Sequence, residues 1–229
     1  MGYNDFLFMN NDLFAQVDQY INERTAQEDE VLQSVHTSIE KADMPPISIS
    51  ASQGKLLQLF AKLTQATKVL ELGTLAGYST IWLARALPPQ GKLISIEFSA
   101  KHAQVAQANI EKAGLQNLVD IRVGKALDVL PEIKANNEGP FDLIFIDADK
   151  PPYLEYFHWA IQLARPGTLI IADNVIREGQ VLAPHSTDER VIGVQKLNES
   201  LRNNAAVFAT IIQTVGSKEH DGMVLAIVQ

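Results

Sequence analysis

Five short apolar runs, at residues 68–72, 92–97, 119–123, 141–146 and 168–172, alternate with amphipathic stretches at 78–86, 99–113, 126–133 and 153–164. A β-branched run of this length that is apolar on both faces reads as a strand buried from both sides. Repeated strand–helix–strand units make the strands parallel, with right-handed crossovers that lay helices on both faces of one sheet. Gly114 follows the second helical stretch in the position of a C-terminal glycine cap. The last third breaks the rhythm. After a helix at 188–202, the runs 208–213 and 223–228 are too close for a helical crossover, so they must pair antiparallel. The expected fold class is α/β: a mostly parallel central sheet of about seven strands with an antiparallel C-terminal hairpin and helices on both faces.

The first fifty residues differ. Residues 12–24 and 28–40 read as amphipathic helices, broken near Thr25 and ended before Pro45-Pro46. Ser50-Ala51-Ser52-Gln53 has the form of a capping box and should start a helix reaching about residue 62. Phe6, Phe8, Met9 and Phe14 make an aromatic-rich beginning that would cover a substrate or pack on a second subunit. A chain of 229 residues suits one α/β domain. It has no cysteine, which excludes disulfides, thiolate zinc sites and thiol nucleophiles. A net charge of −8 argues against nucleic acid or an anionic membrane as partner. Neither a signal peptide nor a membrane-spanning run is visible, so the expected location is cytoplasmic.

Chemistry concentrates where two of the strands end. FDLIFIDADK (141–150) and TLIIADN (168–174) pass abruptly from apolar residues to carboxylate and amide oxygens. In open α/β sheets ligands bind beyond the carboxyl ends of the strands. Asp147, Asp149, Asp173 and Asn174 should therefore share one crevice with Lys150. Hard oxygen donors without His or Cys suit Mg²⁺, Mn²⁺ or Ca²⁺. The plainer alternatives are helix-capping or solvent-facing aspartates, a turn role for Asn174, and a structural ion pair of Lys150 with Asp149 or Glu155. The five histidines show no metal-ligand spacing and read as surface residues.

VLELGTLAGYST (69–80) is a buried strand, a glycine turn and a helix start. Gly73 permits a backbone closed to most residues, and Gly77 a close approach to a ligand. The pattern is G-x-x-x-G, neither a dinucleotide fingerprint nor a P-loop. Glu97, ending the next strand, is placed to accept hydrogen bonds from both hydroxyls of a ribose. Glu71 lies between apolar neighbours, where a carboxylate is costly unless it is paired or meets a cation. A sulfonium or ammonium group on a ligand would satisfy it.

ELGTLAGYST, IEFS, GKALDVLP, FIDADK and ADN, in this order and spacing, resemble the successive motifs of the cation-dependent, S-adenosylmethionine-dependent O-methyltransferases. The caffeoyl-CoA-like bacterial group resembles the chain more closely than the catechol enzymes do. The resemblance runs from about residue 47 to the C-terminus. It implies a Rossmann-like methyltransferase fold in a single domain, with residues 1–45 as a helical cap or interface segment and 46–229 as the cofactor-binding catalytic core. It also implies that Glu71, Gly73 and Ser79 hold the methionine part of S-adenosylmethionine, Glu97 the ribose, and Ala126 the adenine. Asp149 would reach the methionine amino group. Asp147, Asp173 and Asn174 would bind the metal, with Asp147 and Lys150 at the reacting centre and Lys150 as general base. The implied substrate is a catechol-like or other vicinal dihydroxy-aromatic small molecule, and the implied assembly a homodimer. Ile49 and Glu178 stand where plant members carry Thr and Asn contacts, so the plant substrate does not transfer. The alternatives are an NAD-dependent α/β oxidoreductase, disfavoured by the glycine pattern, and a non-catalytic S-adenosylmethionine-binding protein.

Overall fold

The structure, a computed structural model, describes residues 3–218 and 220–229, with side chains described from residue 13 onward. The side chains of Phe6, Phe8 and Met9 therefore lie outside the described residues. Among the described residues seven strands form one sheet: β1 (Lys68–Leu72), β2 (Lys92–Glu97), β3 (Val119–Val123), β4 (Phe141–Ile146), β5 (Ala164–Asp173), β6 (Val207–Thr214) and β7 (Asp221–Val228). Their order is β3-β2-β1-β4-β5-β7-β6. The first five run parallel, and β7 pairs antiparallel with both β5 and β6.

Among the described residues there are eight α-helices and a short 3-10 turn at Gln180–Leu182: α1 (Tyr3–Thr25), α2 (Glu30–Lys41), α3 (Ala51–Leu63), α4 (Tyr78–Ala84), α5 (Ala100–Lys112), α6 (Ala126–Ala135), α7 (Tyr153–Gln162) and α8 (Glu189–Ser200). None of the described helices is long and apolar enough to cross a membrane. Alternate residues of β1, β2, β4 and β5 feed two cores. Val69, Leu93, Leu143, Phe145 and Ile171 pack under Leu32, Leu57, Ile81 and Trp82 on the α2–α5 side. Leu70, Leu72, Ile94, Ile144 and Ile170 pack against Leu130, Tyr153, Phe157 and Leu197 on the α6–α8 side.

Local chemistry sets most boundaries. Ser50 and Gln53 make the expected capping box of α3. Gly114, at φ 71°, ends α5 with Leu115 N–H returning to the Ile110 carbonyl. Several boundaries differ from the sequence expectation, α1 beginning at Tyr3 rather than residue 12, and the α7–β5 junction shows why. α7 stops at Gln162 because the Leu163 carbonyl accepts from Phe141 N–H at 3.0 Å, which recruits the next residues into the sheet. β5 consequently starts at Ala164, four residues early, and carries an irregularity opposite Phe141–Leu143. Buried Thr168 closes it, donating to the Phe141 carbonyl at 2.6 Å and accepting from Arg165 N–H. α2 is part of the core: Leu32, Val35 and Ile39 are buried with the α3–α5 residues.

Candidate active site

The carboxyl ends of β1, β2, β4 and β5 open on one edge of the sheet, and the candidate residues gather there. The turn after β1 is set by its two glycines. Gly73 has φ +94°, and a methyl group on it would overlap the Asp147 carbonyl. Its requirement is therefore double: left-handed backbone, and close packing against the residue that ends β4. Gly77 has φ +86°, but its added carbon would meet Ala106 only at an ordinary 3.5 Å. Conformation, as the residue before α4, is what demands glycine there.

Glu71 is fully buried, and its partners are hydroxyls of this chain. Ser79 donates to Oε1 at 2.6 Å, while Thr80 and Ser95 donate to Oε2 at 2.5 and 2.6 Å. Thr74 completes the network by bonding to Ser95 at 2.6 Å. The cation expected as partner is thus not needed to satisfy the group. Burial nevertheless pushes the Glu71 carboxyl up to about 7, against the pull of the three donors.

Glu97 is also buried, and it knits the turn together. Its Oε2 accepts from the amides of Thr74 and Leu75 at 3.1 and 2.8 Å, and its Oε1 from Ser99 N–H at 2.9 Å. His102 Nδ1 stands 3.4 Å from the same Oε1. That histidine reads as a surface residue in the sequence because nothing in its spacing signals a partner five residues back, across the end of β2. Ala126 begins α6 after Lys125, which supplies no side-chain cap, and Gly124 N–H donates to the Glu97 carbonyl at 2.9 Å, which sets that helix start beside the end of β2.

Across the Gly73 contact, Asp147 and Asp173 end neighbouring strands. Burial first, and then the charge of Asp147, push the Asp173 carboxyl up to about 7, with Lys150 pulling the other way. Two carboxylates brought together against their repulsion, with an amide following on Asn174, are oxygen donors of the kind a hard divalent cation relieves. Asn174 adopts a left-handed backbone at φ 62°, and its N–H donates to Asp173 Oδ1 at 2.8 Å. Among the described residues no three His, Cys, Asp or Glu side chains surround a possible metal. The donor set that fits is two carboxylates and one amide: Asp147, Asp173 and Asn174.

Lys150 pairs with Asp147 at 3.0 Å, and neither Asp149 nor Glu155 is its partner. Its ammonium also donates to the Tyr153 hydroxyl and the Asp173 carbonyl. Asp149 is exposed, and its Oδ1 accepts from Tyr156 at 2.6 Å. Tyr153 reads in the sequence as a helix start or a pocket-lining residue, and two further contributors were not legible there as site residues. Gln53, read as a cap, extends its Nε2 to within 3.5 Å of Asp173 Oδ2. Gly193 of α8 faces the turn that carries Lys150, where any side chain would overlap the Lys150 carbonyl. The Gln53–Asp173 and Gly193–Lys150 contacts join residues far apart in the chain and leave no local pattern.

The arrangement sets two carboxylates, an amide and a lysine amine beside the glycine turn that follows β1. Comparison with known proteins places the chain in a family. The family model described as O-methyltransferase matches residues 22–228. A catechol O-methyltransferase of Niastella koreensis is 58% identical over 221 residues, covering 96% of this chain and 100% of that one. A catechol O-methyltransferase of Mycobacterium tuberculosis is 44% identical, covering 93% and 95%. The O-methyltransferase TomG of Streptomyces achromogenes, solved in complex with SAM, superposes with TM-score 0.93 at 44% identity, covering 96% and 98%. With the family model matching residues 22–228 and a relative 58% identical over 96% of the chain, this protein belongs to the O-methyltransferase family.

Proposed function

We propose that the protein transfers a methyl group from S-adenosylmethionine to one hydroxyl of a catechol-like, vicinal dihydroxy-aromatic small molecule, with a divalent cation at the site. The observation that carries this reading is the meeting of Asp147, Asp173 and Lys150 at adjoining strand ends, directly against the Gly73 turn. The catechol substrate named for two close relatives supports the acceptor class. The SAM and SAH complexes of two superposable O-methyltransferases support the methyl donor.

In this reading Gly73, Ser79, Glu97, Ala126 and Asp149 bind and orient the donor. Glu71 acts by fixing the Ser79 hydroxyl, since it is itself fully enclosed. Asp147, Asp173 and Asn174 hold the cation, Mg²⁺ before Mn²⁺ or Ca²⁺. When bound, the cation would supply positive charge that acidifies an acceptor hydroxyl and favours a neutral amine on Lys150. Lys150 then takes the hydroxyl proton on Nζ. The freed oxygen pair forms the bond to the methyl carbon as the carbon–sulfur bond breaks, giving a methyl ether and S-adenosylhomocysteine. Holding oxygen, carbon and sulfur in line is the protein's main contribution, an effect that can supply about 7–11 kcal/mol. The exposed apolar stripe Leu13, Val17, Tyr20 and Ile21 on α1 supports a homodimer, which sedimentation equilibrium tests.

The deciding experiment is transfer of label from S-adenosylmethionine to a panel of catechols and caffeoyl esters, with Mg²⁺ and with EDTA. Metal-dependent labelling is expected. Equal labelling in EDTA would remove the cation from the mechanism, and labelling of no vicinal diol despite tight donor binding would remove the acceptor class.

A further inference from the structure

A lysine that takes a proton from a bound hydroxyl has to be held still, and its flexible four-carbon stem does not do that by itself. Here the Lys150 ammonium meets three acceptors, one for each proton: Asp147 Oδ1 at 3.0 Å, the Tyr153 hydroxyl at 2.5 Å and the Asp173 carbonyl at 3.3 Å. Tyr153 is the hub of this arrangement. Its hydroxyl receives Lys150 and donates onward to the Asp173 carbonyl at 2.8 Å, with the Ile146 carbonyl at 3.3 Å. Nζ also lies 4.5 Å from the centre of the Tyr153 ring. The ring is completely buried in the α6–α8 core, so it has no freedom of its own. One phenol oxygen thus ties the ends of β4 and β5 to each other and to Lys150. From below, Gly193 lets α8 lie against the Lys150 carbonyl, which fixes the backbone of the same residue.

We propose that Tyr153 is a positioning residue for Lys150. Its hydroxyl sets where the amine stands relative to the paired aspartates, and Gly193 supports the turn from the opposite side. The proposal rests on the reading of Lys150 as general base given above. It adds a residue that touches neither methyl donor nor acceptor.

The test is a double-mutant cycle on the full chain with S-adenosylmethionine, Mg²⁺ and a catechol that the enzyme methylates, using Lys150→Met, Tyr153→Phe and the pair. Tyr153→Phe is expected to lower kcat about ten- to hundredfold, with donor affinity and acceptor KM unchanged. In the Lys150→Met background the same substitution should cost less than about twofold, because it acts only through the lysine. Equal losses in both backgrounds, or a raised KM at unchanged kcat, would overturn the proposal. Gly193→Ala is the second variant, used with the same readout if Tyr153→Phe does not fold; a kcat loss that persists without Lys150 would overturn the proposal there too. If Lys150→Met keeps full kcat, the base assignment itself fails and this proposal falls with it. If Lys150→Met loses activity while Tyr153→Phe keeps full kcat, only the positioning role is lost.

Discussion

Gly73 and Asp147 are pressed together at the ends of adjacent strands, with no room for a single methyl group between the Gly73 α-carbon and the Asp147 carbonyl. The contact joins the glycine turn to the first carboxylate of the candidate metal site, so the two halves of the proposed chemistry are set relative to each other by backbone alone. Gly73→Ala must adopt left-handed backbone and displace that carbonyl. It is expected to destabilise the fold by about 2–4 kcal/mol and to weaken donor binding in whatever fraction stays folded. Urea unfolding with isothermal titration of S-adenosylmethionine measures both.

Glu71 makes stability depend on pH in a definite direction. Its carboxyl is raised from 4.5 to about 7 in the fold. Between those values the folded chain keeps a proton that the unfolded chain has released, so stability falls as pH rises through that window and levels off above it. Glu71→Gln removes this contribution. Relative to the wild type, the variant should gain stability from about pH 5 to about pH 8, by at most roughly 3 kcal/mol. Urea midpoints at the two pH values decide it; a constant difference would mean Glu71 is ionised throughout.

Asp173→Asn separates stability from catalysis. Removing one of two opposed carboxylates relieves repulsion in the metal-free protein, so its melting temperature should not fall. Mg²⁺-dependent methyl transfer should drop about a hundredfold or more, with the remaining rate needing higher Mg²⁺. Thermal melts and rates across a Mg²⁺ series are the measurements.

A control lies at the opposite end of the sheet. Burial would raise the Asp142 carboxyl, but the amides of Thr67 and Lys68, the Thr67 hydroxyl and Arg165 outweigh it and hold it below the usual range. Asp142→Ala leaves these donors without their acceptor and should cost about 2–4 kcal/mol, while kcat per folded molecule is unchanged. Its acid stability should suffer least from the change. In the wild type, the Asp142 contribution is present above the ordinary carboxylate range and disappears as pH falls through the lowered value.

Gly54 tests the contact that seats α3 on α4. A methyl group there would overlap the Trp82 indole, which is buried in the core. Gly54→Ala is expected to cost about 1–3 kcal/mol by overpacking, visible as a lower thermal midpoint without loss of the helix signal in circular dichroism.

Hydrophobic periodicity and turn chemistry are properties of neighbouring residues, and what depends on them alone is legible in the sequence. Four strands, β1 to β4, begin and end where the apolar runs do, and the α3 capping box and the Gly114 cap are spelled out by adjacent residues. Asp147, Lys150, Asp173 and Asn174 could be named because strand ends in a parallel sheet converge on one edge by topology. Tertiary structure decided the rest. Whether Glu71 meets a ligand or the hydroxyls of Ser79, Thr80 and Ser95 depends on how α4 and β2 pack over β1. The early start of β5 depends on a carbonyl of one segment finding an amide of another. Gln53 and Gly193 acquire their roles, and Tyr153 its tie to the Asp173 carbonyl, through contacts across the fold, and the energy of such contacts is set by distance in space, which position along the chain does not encode.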